Sequence, residues 1–222
     1  GYNPPALVNA TEEYSSGVWS PGGALAIARQ RLGGAGTQTA GLAFGGYAPG
    51  QSTATEEYSS GAWSPGGNMI TGRDRLGGTG TQTAGLAFGG DSGANTNVTE
   101  EYSSGAWSPG GPLGSARRNL AGAGTQAAAL AFGGDGSVLT EEYNSGTWSI
   151  GGPLSTARSY LGGAGTQAAA LAFGGVTPAN TNATEEYNGV TSTWSVAPSN
   201  MIIARGRLGG AGTQAAALAF GG

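Results

Sequence analysis

Hydrophobic and polar positions along this chain alternate in short bursts separated by glycine, without the three-to-four spacing of a helix. Residues 128–132, Ala-Ala-Leu-Ala-Phe, show the pattern: in an extended chain Leu130 and Phe132 fall on one side, Ala129 and Ala131 on the other. The run is too short for a helix and is boxed by glycines, so strand is expected despite the helix propensity of alanine. The same unit predicts three more strands. Residues 98–103 lead into a Ser-Ser-Gly turn, and residues 106–108, around Trp107, form the return. Residues 120–124 form a small-residue strand that turns at Gly124-Thr125-Gln126 into the run above. Pro109-Gly110-Gly111-Pro112 is expected to end the Trp strand, because proline cannot donate to a ladder.

The unit recurs five times. Thr-Glu-Glu-Tyr starts at Thr11, Thr55, Thr99, Thr140 and Thr184, and Leu-Ala-Phe-Gly-Gly ends at Gly46, Gly90, Gly134, Gly175 and Gly222. A period in the forties with four strands per unit predicts an all-β, five-bladed β-propeller of four-stranded antiparallel blades. It forms a single domain, 1–222, with blades at 24–66, 68–110, 112–151 and 153–197, and a fifth joining 200–222 to 1–22. That fifth blade would take its outer strands from the N-terminus and its inner strands from the C-terminus, leaving no open sheet edge. Bulky Leu130 and Phe132 of one blade would stack on the flat alanine side of a neighbour. Tyr, Trp, Leu and Phe recur in every unit, and each contributes roughly 1.5–3 kcal/mol when buried. Glycines in the 120–124 strand would let innermost strands crowd an axis.

Composition changes the picture in three ways. Gly 46 and Pro 10 in 222 residues would suggest low complexity, but the glycines hold fixed positions beside large side chains. All nine cations are arginine against 13 carboxylates, a net charge of −4, which argues against a nucleic-acid partner. The chain has no Cys and no His, which excludes disulfides, thiolate metal sites, Cys nucleophiles and imidazole bases. No apolar run is long enough to span a membrane. A monomer with no cofactor and no metal is expected.

The order Tyr102, Trp107, Arg117, then a hydrophobic run ending in Gly133-Gly134, resembles the kelch repeat, over the whole chain and in five copies. The resemblance implies blades with the Gly-rich strand innermost and the Trp strand outermost. The near-identical units are also similar to repetitive kelch-like proteins of marine phages and environmental sequences, which implies a virion-associated or extracellular setting; they suit an engineered propeller equally. Kelch-like copper oxidases need His ligands and a Tyr–Cys cross-link, for which this chain lacks the residues.

Comparing the units with one another locates the candidate sites. The Gly-Thr-Gln turns are constant. Variation sits in the connections after the double glycine (2–10, 47–54, 91–98, 135–139, 176–183) and in the crossing loops (24–28, 68–72, 112–116, 153–157, 199–204), which leave the blades on one face. Tyr47, Asp91, Asn95, Asp135, Asn180 and Asn200 are the candidate binding residues there. Arg29, Arg73, Arg117, Arg158 and Arg205 precede the inner strands. They form either an anion-binding ring at the channel mouth or internal partners for the Glu-Glu pairs, the preferred reading. The Glu pairs are equivalent in all units and point to opposite sides of their strand, which argues against a glycosidase. Asp91, Asp135, Asn95 and Asn97 offer oxygens to Ca²⁺, but at no recognised spacing. Asn9, Asn97 and Asn182 fall in glycosylation sequons because Thr opens each unit. The tryptophans serve blade packing rather than sugar stacking. The expected function is a non-enzymatic structural or interaction module that binds a protein or glycan through the variable face. The alternatives are a multivalent lectin with one site per blade, and a designed scaffold without a natural ligand.

Overall fold

A computed structural model describes residues 7–222; residues 1–6, and with them most of the N-terminal connection expected at 2–10, lie outside the described residues. Twenty strands follow one another: β1 (Glu12–Ser15), β2 (Val18–Pro21), β3 (Gly33–Gly36), β4 (Ala40–Phe44), β5 (Thr55–Ser59), β6 (Ala62–Pro65), β7 (Gly77–Gly80), β8 (Gly85–Phe88), β9 (Thr99–Ser103), β10 (Ala106–Gly110), β11 (Ala121–Gly124), β12 (Ala128–Phe132), β13 (Thr140–Asn144), β14 (Thr147–Ile150), β15 (Gly162–Gly165), β16 (Ala169–Phe173), β17 (Thr184–Asn188), β18 (Thr193–Val196), β19 (Leu208–Gly212) and β20 (Ala217–Gly221). Among the described residues no helix forms, so none crosses a membrane. β3–β6, β7–β10, β11–β14 and β15–β18 form four-stranded antiparallel sheets in sequence order, a propeller-like set of blades. β1–β2 and β19–β20 form separate two-stranded sheets, so the expected pairing of the two chain ends is not present.

One boundary differs from the sequence reading. β10 runs through Pro109, opposite Glu100, to Gly110, opposite Thr99. It is the outermost strand, and a proline there withholds a donor only from a free edge.

The blades stack as the alternation requires. Leu130 and Phe132 pack with Ala170 and Ala172 of the following blade, while Ala129 and Ala131 receive Leu86 and Phe88 of the preceding one. The innermost strands crowd: a Cβ on Gly163 would stand 2.6 Å from the Gly122 carbonyl oxygen, closer than a side chain allows. Polar ties recur from interface to interface. Trp107 Nε1 donates to Thr55 Oγ1 at 2.9 Å, Trp148 to Thr99 at 2.9 Å and Trp194 to Thr140 at 2.9 Å. Gln82, Gln126, Gln167 and Gln214 each donate to two carbonyls of the preceding blade. The hydroxyls of Tyr58, Tyr102, Tyr143 and Tyr187 donate to Glu13, Glu57, Glu101 and Glu142.

Burial, and then the carboxylate they face, push Tyr102 and Tyr187 up to about 12. A raised tyrosine pKa is stability present below the unfolded value of about 10 and lost as pH rises through the folded value. The melting temperature is therefore expected to fall between about pH 10 and 12, and a Tyr102→Phe variant to fall less steeply over that window. Equal slopes for the two proteins would refute the link.

Candidate functional site

Four of the five repeat arginines lie inside the blades, and Arg205 is half-buried. Arg29, Arg73, Arg117 and Arg158 are at most 2 % exposed. Each meets the first glutamate of its own blade: Arg29–Glu56 at 3.1 Å, Arg73–Glu100 at 3.3 Å, Arg158–Glu185 at 2.7 Å, and Arg117–Glu141. The same glutamates accept amide hydrogens of the crossing loops, Glu56 from Ala26 at 2.6 Å and Glu185 from Ser155 at 2.6 Å. The two glutamates of each unit thus do different work because they point to opposite faces of a strand: the first holds its own blade, the second the next blade's tyrosine. Burial lowers Arg73 to about 10 despite the opposing pull of Glu100. Arg205 donates instead to the carbonyls of Gly221 at 3.1 Å and Ala219 at 3.0 Å, with Glu12 across a shallow cavity.

The axial mouth is built by residues two positions further on. Arg31, Arg75, Asn119, Tyr160 and Arg207 occupy equivalent places, one per unit, with φ of 57°, 55°, 59°, 55° and 62°. They are linked from unit to unit through the backbone: Arg75 N–H donates to Arg31 O at 2.9 Å, Asn119 to Arg75 at 2.9 Å, Tyr160 to Asn119 at 2.8 Å and Arg207 to Tyr160 at 2.9 Å. With Leu32, Leu76, Leu120, Leu161 and Leu208 beneath, they line a cup of about 310 Å³ that draws two residues from every unit. A left-handed backbone strains an arginine or tyrosine, and such strain collects at functional sites.

Charge marks the same place. Apart from one Arg and two Glu per repeat, the chain has seven charged side chains: Arg31, Asp74, Arg75, Asp91, Arg118, Asp135 and Arg207. All lie at this mouth or just outside it. Arg75 bridges Asp91 at 3.0 Å and Asp74 at 3.9 Å, Arg31 reaches Asp74 at 3.5 Å, and Arg118 joins Asp91 to Asp135. Burial works against the Asp91 charge, but the Gly93 amide and Arg118 outweigh it and hold its carboxyl below the ordinary value. Arg207 lies over the Tyr160 ring, 4.7 Å from its centroid, and forms no ion pair among the described residues. Sequence comparison missed this ring; its signal was the set of charges left once the repeat is subtracted.

The expected binding residues divide. Asp91, Asp135 and Asn95 come together, Asn95 Nδ2 donating to Asp135 Oδ2 at 2.8 Å. Tyr47 pairs with Gln30 through the backbone beside the mouth, and Asn180 lies next to Gly206. Asn200 stands apart, accepting from the Thr184 amide at 3.1 Å on the outer side. Arg118 spans the two aspartates weighed for Ca²⁺, and no group of three acidic or thiol or imidazole side chains with metal-holding geometry occurs among the described residues. The sequon side chains of Asn9, Asn97 and Asn182 tie crossing loops by donating to Leu25, Leu113 and Met201 carbonyls. Set against known proteins, the chain matches no family model and no curated protein.

Proposed function

We propose that this chain is a non-enzymatic recognition module, a kelch-type five-bladed propeller that meets a protein or glycan with the face around its axial cup. The observation that carries the reading is the contrast between constant and broken symmetry. Blade interiors repeat the same side chains, whereas the five axial positions bear Arg, Arg, Asn, Tyr and Arg, three of the seven charges outside the repeat, with the other four in ion pairs beside them. A binding role is favoured over catalysis because the buried glutamates are already engaged by arginine and loop amides. A single mixed cup, rather than five equal ones, favours one ligand per chain over a lectin with a site in each blade. The likeness of the repeat to phage-encoded kelch proteins extends the proposal to a virion surface.

Ring closure belongs to the same proposal. Beside β17 and β20 lies an open slot of about 410 Å³ lined by Phe173, Thr184, Glu186 and Met201. In the other blades the equivalent Phe, Thr and Glu receive the next blade's Trp and Tyr, as Phe44, Thr55 and Glu57 receive Trp107 and Tyr102. Trp19 and Tyr14 are the pair that would fill the slot on closure; in the structure they stand 42 % and 38 % exposed, and Trp19 packs on Phe220, 5.6 Å between centroids, rather than on Phe173.

The test is a glycan array and a peptide array probed with the protein and two variants that place the same bulk on opposite faces. Asn180→Tyr, on the loop face, is expected to abolish binding, and Ala127→Tyr, beside a constant turn, to leave it intact, with about one ligand per chain. The opposite pattern, five ligands per chain, or silence on both arrays would overturn the proposal.

A further inference from the structure

We infer that the axial cup binds the carboxylate of an acidic sugar unit, such as a uronic acid. The inference rests on the recognition face proposed above and assigns its ligand class. The cup is not uniformly basic. Its wall runs Arg31, Arg75, Asn119, Tyr160 and Arg207 along the backbone links, so arginines stand at both ends of a neutral arc of Asn119 and Tyr160, with leucines below. Arg31 and Arg75 are partly neutralised by Asp74 and Asp91, whereas Arg207 meets no carboxylate among the described residues. An arginine presents paired donors that match a carboxylate. The neutral arc offers an amide and a phenol to sugar hydroxyls, and the leucine floor an apolar surface to a pyranose face. At about 310 Å³ the cup is at the small end of ligand sites, suited to one sugar unit and not to a length of peptide. Side chains of this size are kept at five left-handed positions in a chain that uses glycine at most other such positions, so the side chains themselves are what the positions require.

The sugar acid has two sources, free in solution or as a unit within a polysaccharide, and NMR titration separates them. Probes are glucuronate, glucose, inorganic sulfate and a hyaluronan tetrasaccharide, read on backbone amides. Glucuronate is expected to give saturable shifts at Asn119, Tyr160 and Arg207, with glucose and sulfate each at least about tenfold weaker. The same shifts with the tetrasaccharide assign the ligand to a glycan; shifts with glucuronate alone assign it to the free acid. Arg207→Gln should weaken glucuronate binding about tenfold or more with the melting temperature unchanged. No saturable shift with either acid, shifts outside the cup, or sulfate binding as well as glucuronate would overturn the inference. Array binding that Asn180→Tyr removes but Arg207→Gln leaves intact would overturn it too, while the recognition face would stand.

Discussion

Arg117→Ala is expected to cost about 3–5 kcal/mol of folding stability, the usual loss when one partner of a buried ion pair is removed. The cause is what remains behind. Glu141, 5 % exposed, keeps only the Gly114 amide as a donor at 2.6 Å, and the carbonyls of Gly133 and Ala131 lose theirs. Desolvation of an unpaired carboxylate far outweighs the lost packing of the arginine stem. Melting should drop on the order of 10 °C for a chain of this size. Removing the charge left behind, in an Arg117→Ala/Glu141→Gln double variant, should recover part of the loss, so the two changes should not add. Denaturant titrations of the single and double variants check this. A single-variant loss under about 1 kcal/mol would mean that the pair is solvated and that the arginine belongs to the mouth after all.

Much of this arrangement is legible in the sequence. Leu130 and Phe132 facing one neighbour, with Ala129 and Ala131 facing the other, follows from strand alternation alone. The Arg–Glu pairing follows from the cost of a carboxylate between blades. Alternation failed where the backbone leaves the β region. From Arg117 the chain bends into a left-handed residue, Asn119, before β11 begins, so the repeat arginine turns inward and the residue two later faces the axis. Nothing in the hydrophobic pattern marks that bend. The unequal charges around it do, but only after the constant repeat has been set aside. Asn200 illustrates the converse: it sits in a variable loop, yet its side chain caps the Thr184 amide away from the mouth.

The closing of the ring has the second large expected effect. Three interfaces carry the full set of ties, and the residues that would complete the others are all in the chain: Arg205 with Glu12, Tyr14 with Glu186, Trp19 with Thr184, and the Arg31 amide with the Arg207 carbonyl. Closure would also bring Arg207 beside Arg31 and complete the cationic arc of the cup. The register of β4 on β5, in which Ala40 faces Ser59, transfers to Ala216 facing Ser15 in the fifth blade. Cysteines at those two positions would be the only thiols in the chain. A disulfide there would enclose nearly the whole sequence, and the lost unfolded-state entropy is worth up to about 5 kcal/mol for a loop of that length. The measurement is thiol oxidation of the purified Ser15→Cys/Ala216→Cys monomer, read by non-reducing electrophoresis and melting. A closed five-bladed ring gives a near-complete intramolecular disulfide and a higher melting temperature. Thiols that stay reduced in the monomer, or that link only one chain to another, would contradict it.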